Sequence, residues 1–149
     1  MTDERPKASS AEALRRMKAT RRRDTAAELA IRRALYSRGL RYRVDREVLR
    51  GVRRRADIVF VGAKVAVFVD GCFWHCCPIH RTYPKANASW WATKLQANRQ
   101  RDIDTNGKLR KAGWLVVRVW EHEAPAAAAA RITRKVGART RRFQMLSQL

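Results

Sequence analysis

The stretch ADIVFVGAKVAVFVD, residues 56–70, decides the fold of this chain. It contains two runs of apolar, mostly β-branched residues, and Gly62-Ala63 separates them. Such residues favour strands, and a short glycine-containing connection favours antiparallel pairing. The stretch therefore predicts a central β-hairpin that ends at Asp70.

Two further segments have the pattern of strands. Leu40, Tyr42 and Val44 alternate with charged residues, which is the period of a strand with one buried face. We therefore expect an outer strand there. Residues 114–121, WLVVRVWE, form another mostly apolar run and predict a fourth strand.

Three helices are predicted around these strands. The segment from Thr25 to Glu28 has the pattern of a capping box, and a helix that begins there should end at Gly39. A long polar helix is expected from about Trp91 to residues 111–113, and Pro125 opens a last helix. The order α-β-β-β-α-β-α predicts an α/β fold in which helices flank a mixed sheet.

The charge of the chain indicates a nucleic-acid partner. Its 149 residues include 34 Lys and Arg against 13 Asp and Glu, which gives a formal charge of +21. Phosphate neutralises such a charge. A basic membrane-binding protein is the alternative, but no run approaches the roughly 18 apolar residues of a membrane span. The first residues do not resemble a signal peptide, so we expect a cytoplasmic protein.

The distribution of apolar and basic residues predicts the domain organisation. Residues 1–23 lack a sustained apolar stripe and end in Arg21, Arg22 and Arg23, so we expect a mobile basic arm that contacts DNA. Residues 24–136 hold the predicted elements and are long enough for one core. Residues 137–149 are predicted to form a basic C-terminal tail, and we expect a monomer.

A cysteine- and histidine-rich segment, CFWHCCPIH at residues 72–80, directly follows the hairpin. A disulfide between the adjacent Cys76 and Cys77 would be strained, so reduced thiols or metal ligands are favoured. Zinc prefers four nitrogen or sulfur ligands. The candidates are three residues of this segment and the one remaining histidine: Cys72, Cys77, His80 and His122. Cys76 could exchange with Cys77, and buried free cysteines without a metal are the alternative.

Acids at the ends of the hairpin strands favour a second metal site, for an ion that prefers oxygen ligands. Asp57 opens one strand and Asp70 closes the next, so the hairpin should bring two carboxylates together, and such a pair can hold Mg²⁺. The alternative is that both are strand-end acids paired with arginines. His75 could act as a general acid or base there, or as a zinc ligand. The capping box is enough to explain Glu28, and Asp102 has the pattern of a solvated helix charge.

Three aromatic residues are candidates for contact with bases. Phe73 and Trp74 lie in the segment after the hairpin, where they cannot both easily face the core. Inserting apolar side chains between base steps costs a few kcal/mol, and less where pairing is already defective. We therefore expect a wedge, which Trp91 could join unless it packs in the core.

Taken together, these residues resemble the very short patch repair (Vsr) endonucleases, a family that nicks DNA at T:G mismatches. The resemblance spans residues 17–123 and rests on ordered blocks. The blocks are RDTAAE at 23–28 with RGLRYR at 38–43, ADIVF at 56–60, VDGCFWH at 69–75, NRQRD at 98–102, and AGW at 112–114 continuing to WEHE at 120–123.

The resemblance implies a restriction-endonuclease-like core and Mg²⁺-dependent phosphodiester hydrolysis. It implies that Asp57 and the backbone carbonyl of Val69 hold magnesium and that His75 is the catalytic base or orients it. Glu28 and Asp102 would then be supporting polar groups, contrary to their local patterns. Asp70 remains a catalytic candidate from its place at the end of the hairpin.

The resemblance also implies that Phe73, Trp74 and Trp91 intercalate beside the mismatch and that the four Cys and His candidates hold a structural zinc. The chain departs from the wider nuclease superfamily because Ala56 rather than proline precedes the first acid. The second motif lacks its usual lysine, so histidine is expected to replace it in proton handling.

The expected function is therefore a nick in one strand, 5′ to the mismatched T, that starts very short patch repair. The expected partner is double-stranded DNA containing a mismatch, and mismatch-repair proteins are candidate partners. Two alternatives stay open. One is a non-catalytic, zinc-containing DNA-binding module, and the other is a related nuclease that acts on other DNA structures.

Overall fold

The computed structural model describes residues 7–19, 23–80 and 82–149. The elements of this part of the chain are α1 (Ala11–Ala19), α2 (Ala26–Ser37), β1 (Arg43–Glu47), β2 (Arg55–Phe60), β3 (Val65–Asp70), α3 (Ala88–Lys111), β4 (Leu115–Trp120) and α4 (Pro125–Ser147). From α2 onward they follow the predicted order. None of the described helices combines the length and the apolar character needed to cross a membrane.

The strands form one open sheet in the order β1-β2-β3-β4. β2 is antiparallel to both β1 and β3, whereas β3 and β4 are parallel. The predicted hairpin, the outer strand and the mixed α/β architecture are therefore confirmed. A parallel pair needs a long crossover, and α3 provides it between β3 and β4.

Helices cover both faces of the sheet. On one face, α2 and α4 pack on the central strands, and the core includes Ile31, Leu35, Ile58, Val65, Val67, Val119, Ala129 and Ile132. On the other face, Leu109 of α3 packs with Ala66, Phe68 and Val116. Because both faces are covered, β3 is a continuous apolar run rather than an alternating one.

The outer strand begins later than its alternating pattern suggests. β1 starts at Arg43, which pairs with Val59. In this register Leu40 would lie opposite Gly62, beyond the end of β2, so no partner strand is available to it. Leu40 and Tyr42 nevertheless pack against the core, which explains their apolar character.

Two helices differ from the expectation at the ends of the chain. The sequence pattern predicts no helix in residues 1–23, and α1 contradicts this for Ala11–Ala19. The missed signal is a cap, because Ser10 Oγ accepts a hydrogen bond from the Ala13 N–H at 3.0 Å. α4 continues to Ser147 without a break, across the boundary predicted at residues 136 and 137. The division into arm, domain and tail remains a prediction.

Leu35→Ala should lower the free energy of unfolding by about 2–5 kcal/mol, because it would leave a cavity between α2 and the sheet. Leu35 has 0% exposure, whereas Ile103 on α3 is 55% exposed. Ile103→Ala is therefore the control, with a change within about 0.5 kcal/mol. Urea unfolding followed by circular dichroism measures both. Equal losses would contradict this placement of the core.

Candidate active site and metal centre

The candidate site residues gather at one edge of the sheet. Because β3 and β4 are parallel, their ends at Asp70 and Trp120 lie side by side. β2 is antiparallel to β3 and begins at the same edge, so Asp57 lies beside the end of β3. The loop after β3 and the turn after β4 continue from this edge. Both predicted metal sites are therefore close to each other.

Asp57 lies where β2 and β3 separate. Their ladder ends at the Ile58–Val67 pair, and the Val69 N–H donates instead to Asp57 Oδ2 at 2.7 Å. In a strand, the N–H and C=O of one residue point to the same side, so the Val69 carbonyl also faces β2. The predicted oxygen donors, the Asp57 carboxylate and the Val69 carbonyl, are thus on the same side of β3.

The surroundings of Asp57 disfavour its ionised form. Burial raises the pKa of Asp57 to about 7, and the negative charges of Glu28 and Asp70 add to this effect, against the lowering effect of the Val69 N–H. Burial also raises the pKa values of Asp70 and Glu28. Three neighbouring acids with raised pKa values form a site that a divalent cation would stabilise.

His75 lies between two carboxylates. Its Nδ1 is 2.5 Å from Asp102 Oδ2 and 3.7 Å from Asp70 Oδ1. Its Nε2 is 3.3 Å from Nη2 of Arg54. Because a guanidinium only donates hydrogen bonds, Nε2 is the acceptor and Nδ1 carries the proton. Asp102 is not a solvated helix charge, since its side chain is only 14% exposed.

Two arginines that the sequence analysis does not single out bind these carboxylates. Arg118 Nη1 lies 2.9 Å from Asp70 Oδ1 and 3.4 Å from Asp102 Oδ1, and Arg54 Nη2 is also 3.4 Å from Asp102 Oδ1. Burial raises the pKa of Asp102, but the hydrogen bond with His75 and the charges of both arginines outweigh it and lower this pKa. The sequence does contain an indication of the role of Arg118, because it is the one charged residue in the apolar strand LVVRVW.

Glu28 combines a helix cap with proximity to Asp57. Thr25 Oγ1 accepts a hydrogen bond from the Glu28 N–H at 3.3 Å, as the capping box predicts. The Glu28 carboxylate accepts from the Asp24 N–H at 2.9 Å and pairs with Arg32 at 3.2 Å. Its side chain is buried, and its negative charge raises the pKa of Asp57. Its local capping role and its place near the site are therefore compatible.

The four predicted zinc ligands form a tight cluster. The ligand atoms of Cys72, Cys77, His80 and His122 all lie within 4.8 Å of one another. His122 Nδ1 is 3.2 Å from Cys72 Sγ and 3.7 Å from Cys77 Sγ, and His80 Nδ1 is 3.9 Å from Cys77 Sγ. Zinc bonds of about 2.0–2.3 Å in a tetrahedron place neighbouring ligand atoms about 3.3–3.8 Å apart. The donor types and their spacing thus fit zinc.

Local backbone bonds shape this cluster. The Cys77 N–H donates to the Cys72 carbonyl at 2.9 Å, and Cys76 between them has a positive φ of 56°. Cys76 is not a member of the cluster, so Cys77 is the better ligand candidate. The Glu121 carboxylate accepts from the Cys72 N–H at 3.0 Å. This bond ties the loop to the end of β4.

Phe73, Trp74 and Trp91 form an aromatic cluster beside the site. Their ring centroids are 5.1–5.7 Å apart, and the Trp90 ring lies 4.9 Å from that of Trp91. All four rings are half-buried, and neither core of the described residues includes them. A cavity of about 790 Å³ adjoins the cluster and is bordered by α1. Trp91 therefore packs in this aromatic cluster and not in either core of the described residues.

Arg21 and Arg22, two of the three arginines predicted to contact DNA, lie outside the described residues. Arg23 pairs with Asp24 at 3.3 Å and with Asp45 at 3.2 Å, and its side chain is 59% exposed. Its contact with DNA remains a prediction.

Comparison with known proteins places this chain in a family. The family model described as DNA mismatch endonuclease Vsr matches residues 7–81. This chain belongs to the Vsr family. The match includes Asp57 and His75, whereas Asp102 and His122 follow it in the chain.

Curated relatives of this Vsr-family protein carry endonuclease names. "Type II nicking enzyme V.NaeI" of Lentzea aerocolonigenes is 52% identical over 112 residues, which cover 73% of this chain and 67% of the relative. "Type II nicking enzyme V.XorIIP" of Xanthomonas oryzae is 39% identical, with 72% and 77% covered. "DNA mismatch endonuclease Vsr" of Escherichia coli is 35% identical, with 70% and 66% covered. This Vsr-family chain is therefore a DNA endonuclease.

Asp57→Asn should change how stability depends on pH. Asn keeps an acceptor for the Val69 N–H but cannot ionise. The pKa of Asp57 is about 7 in the folded protein and 3.8 ordinarily, so its ionisation destabilises the fold as pH rises through this interval. In Mg²⁺-free buffer the wild type should lose a few kcal/mol relative to Asp57→Asn between about pH 4 and 7, at about 1.4 kcal/mol per pH unit.

Urea unfolding at a series of pH values measures this difference. Asp104→Asn is the matched control, because Asp104 is 57% exposed on α3 and pairs only with Lys108 among the described ion pairs. Parallel curves for the wild type and Asp57→Asn would contradict the raised pKa.

Proposed function

We propose that this Vsr-family endonuclease is Mg²⁺-dependent and nicks one DNA strand at T:G mismatches, 5′ to the mismatched T, to start very short patch repair. The observation that carries the proposal is the convergence of Asp57 and His75 on one edge of the sheet. They are linked through the neighbouring residues Val69 and Asp70, which contact Asp57 and His75 respectively. The mixed sheet, covered by helices on both faces, fits a restriction-endonuclease-like core.

Asp57 and the Val69 carbonyl are the groups that would hold Mg²⁺. Both offer hard oxygen donors, which this ion prefers. The raised pKa of Asp57 is what burial of an acid without a cation produces. When bound, the ion would supply positive charge to the phosphate under attack. Glu28 and Asp70 would support the site, since their negative charges favour a cation beside Asp57.

His75 is proposed to accept the proton of the attacking water. Its Nδ1–H is directed at Asp102, so Nε2 is the nitrogen available to act as a base. Asp102 would hold the ring in this orientation and stabilise the imidazolium that forms. Arg54, 3.3 Å from Nε2, must leave that nitrogen when the reaction begins. A phosphate oxygen of bound DNA is a suitable acceptor for its guanidinium.

The Cys and His cluster is proposed to hold a structural zinc. Four protein ligands leave no open position on the ion, so it would not take part in hydrolysis. It would join the loop at residues 72–80 to His122 at the end of β4. Because His75 belongs to this loop, zinc would also fix the proposed base relative to the sheet.

The aromatic cluster of Phe73, Trp74 and Trp91 is proposed to enter the base stack at the mismatch. A mispaired base costs less to unstack than a matched one, so insertion favours the T:G site. The basic surface would supply affinity for phosphates without reading sequence. We propose a cytoplasmic monomer that acts on mismatched double-stranded DNA, with mismatch-repair proteins as candidate partners.

Asp57→Ala should abolish nicking of a T:G duplex in Mg²⁺ and largely keep DNA binding, because phosphate contacts supply most of the affinity. Nicking is measured on denaturing gels with matched, T:G, other mismatched and branched duplexes, and binding by mobility shift. Asp104→Asn, the exposed control, should nick like the wild type.

Each outcome of this panel is informative. Nicking by purified Asp57→Ala would contradict the metal site. Equal nicking of matched or branched duplexes by the wild type would contradict T:G specificity and favour a related nuclease. Absence of any nick in Mg²⁺ would favour a non-catalytic DNA-binding module.

His80→Ala and His122→Ala should each lose zinc, because each removes one of four ligands. Cys76→Ser should keep the metal, since Cys76 lies outside the cluster. His75→Ala should also keep zinc yet lose nicking. Elemental analysis of the purified proteins measures the bound zinc. Full zinc occupancy in either ligand variant would overturn the proposed ligand set.

A further inference from the structure

Arg118 occupies an unusual place for a charged residue. It lies in the middle of β4, between the buried Val117 and Val119, and its side chain is only 20% exposed. Its guanidinium lies over the Phe68 ring, 4.2 Å from the centroid. An arginine in such a position needs bound partners, because a partly buried charge is costly when unpaired.

The partners of Arg118 hold its guanidinium from two sides. Nε and Nη2 donate to Asn106 Oδ1 at 3.1 and 2.9 Å. Nη1 donates to Asp70 Oδ1 at 2.9 Å and to Asp102 Oδ1 at 3.4 Å. These two bonds to the Asn106 oxygen on α3 fix the plane of the guanidinium, so Nη1 has a defined position between the two carboxylates.

Those two carboxylates are the ones that flank His75. Asp102 Oδ2 is 2.5 Å from His75 Nδ1, and Asp70 Oδ1 is 3.7 Å from the same nitrogen. Without a shared cation, two carboxylates this close repel each other and compete for one N–H. Arg118 binds Oδ1 of both and leaves Oδ2 of Asp102 to the histidine.

We propose that Arg118 is a positioning residue for strand nicking: it holds Asp70 and Asp102 so that His75 keeps a single ring orientation, with Nε2 directed at the scissile phosphate. This inference rests on the proposed role of His75 as the base. Arg54 also reaches Asp102 Oδ1, but its side chain is 34% exposed. It is also expected to move to DNA, so it cannot replace Arg118.

Arg118→Ala should lower the single-turnover nicking rate on a T:G duplex about 10–100-fold, which is the size of loss found when a group that orients a metal-binding side chain is removed. The dissociation constant for the duplex, measured by mobility shift, should change less than about twofold, because the guanidinium is bound within the protein rather than presented to phosphate. Added guanidinium ion should restore part of the rate in Arg118→Ala and should not raise the wild-type rate.

Two conservative variants test the same role with smaller changes. Arg118→Lys keeps a charge that can bind one carboxylate but not Asn106 at the same time, so its rate should fall between the wild type and Arg118→Ala. Asn106→Ala should lower the rate moderately. Because Asn106 acts through Arg118, the double variant should be no slower than Arg118→Ala alone.

Arg139→Ala is the matched control for loss of a structural arginine. Arg139 donates to the carbonyls of Ala63 and Gly113, residues far in sequence and remote from His75 along the sheet. This variant should be less stable to heat, yet nick at the wild-type rate when folded and gain nothing from guanidinium. Thermal melts establish the temperature at which all variants are folded.

The outcomes separate this inference from the proposed function. A wild type that nicks no duplex would overturn both. A wild type that nicks, with Arg118→Ala and Asn106→Ala at the same rate, would overturn the role of Arg118 alone. A slower Arg118→Ala that guanidinium does not restore, combined with a normal rate in Asn106→Ala, would also overturn it, because that pattern indicates a purely structural arginine.

Discussion

The parallel pairing of β3 with β4 is the interaction on which the rest of the structure depends. Six consecutive pairs, from Val65–Leu115 to Asp70–Trp120, bring together two segments that lie about 50 residues apart in the chain. The loop with Cys72 and Cys77 and the turn with His122 therefore meet at one edge. The crossover that such a pair requires is α3, and this helix also brings Asp102 to His75.

The site is an acidic spot in a strongly basic chain. Only 13 of the 149 residues are acidic, yet Glu28, Asp57, Asp70 and Asp102 all lie at this edge. Asp102 has a lowered pKa, because its hydrogen bond with His75 and the charges of His75 and two arginines outweigh its burial, whereas Asp57 has a raised pKa because burial dominates. Asp57 is therefore the more suitable place for a cation, and Asp102 is the more suitable partner for a histidine. The surrounding excess of Lys and Arg serves the opposite purpose, attraction of phosphate.

The candidate active site coincides with an interruption of the sheet. Pairing between β2 and β3 stops before Asp57, and Asp45, which faces Asp57 in the β1 register, has a positive φ of 47°. Ala56 packs on the same face as Val59, so the alternation of β2 also breaks at Asp57. A cation beside a carboxylate needs open space and further oxygen atoms that are free to bind it. A complete ladder would leave neither. The regular strand pairing is therefore interrupted at the place where the chemistry is proposed.

Local patterns in the sequence determined the hairpin, the order of elements from α2 onward and the four Cys and His candidates, because strand propensity, caps and ligand type depend on neighbouring residues. They did not determine the partners of Asp102 or Arg118. Alone in sequence, Asp102 has the pattern of a solvated helix charge, and Arg118 is a charge within an apolar strand. Only the tertiary structure decided that both surround His75, because their contacts depend on how α3 crosses the sheet and not on any spacing along the chain.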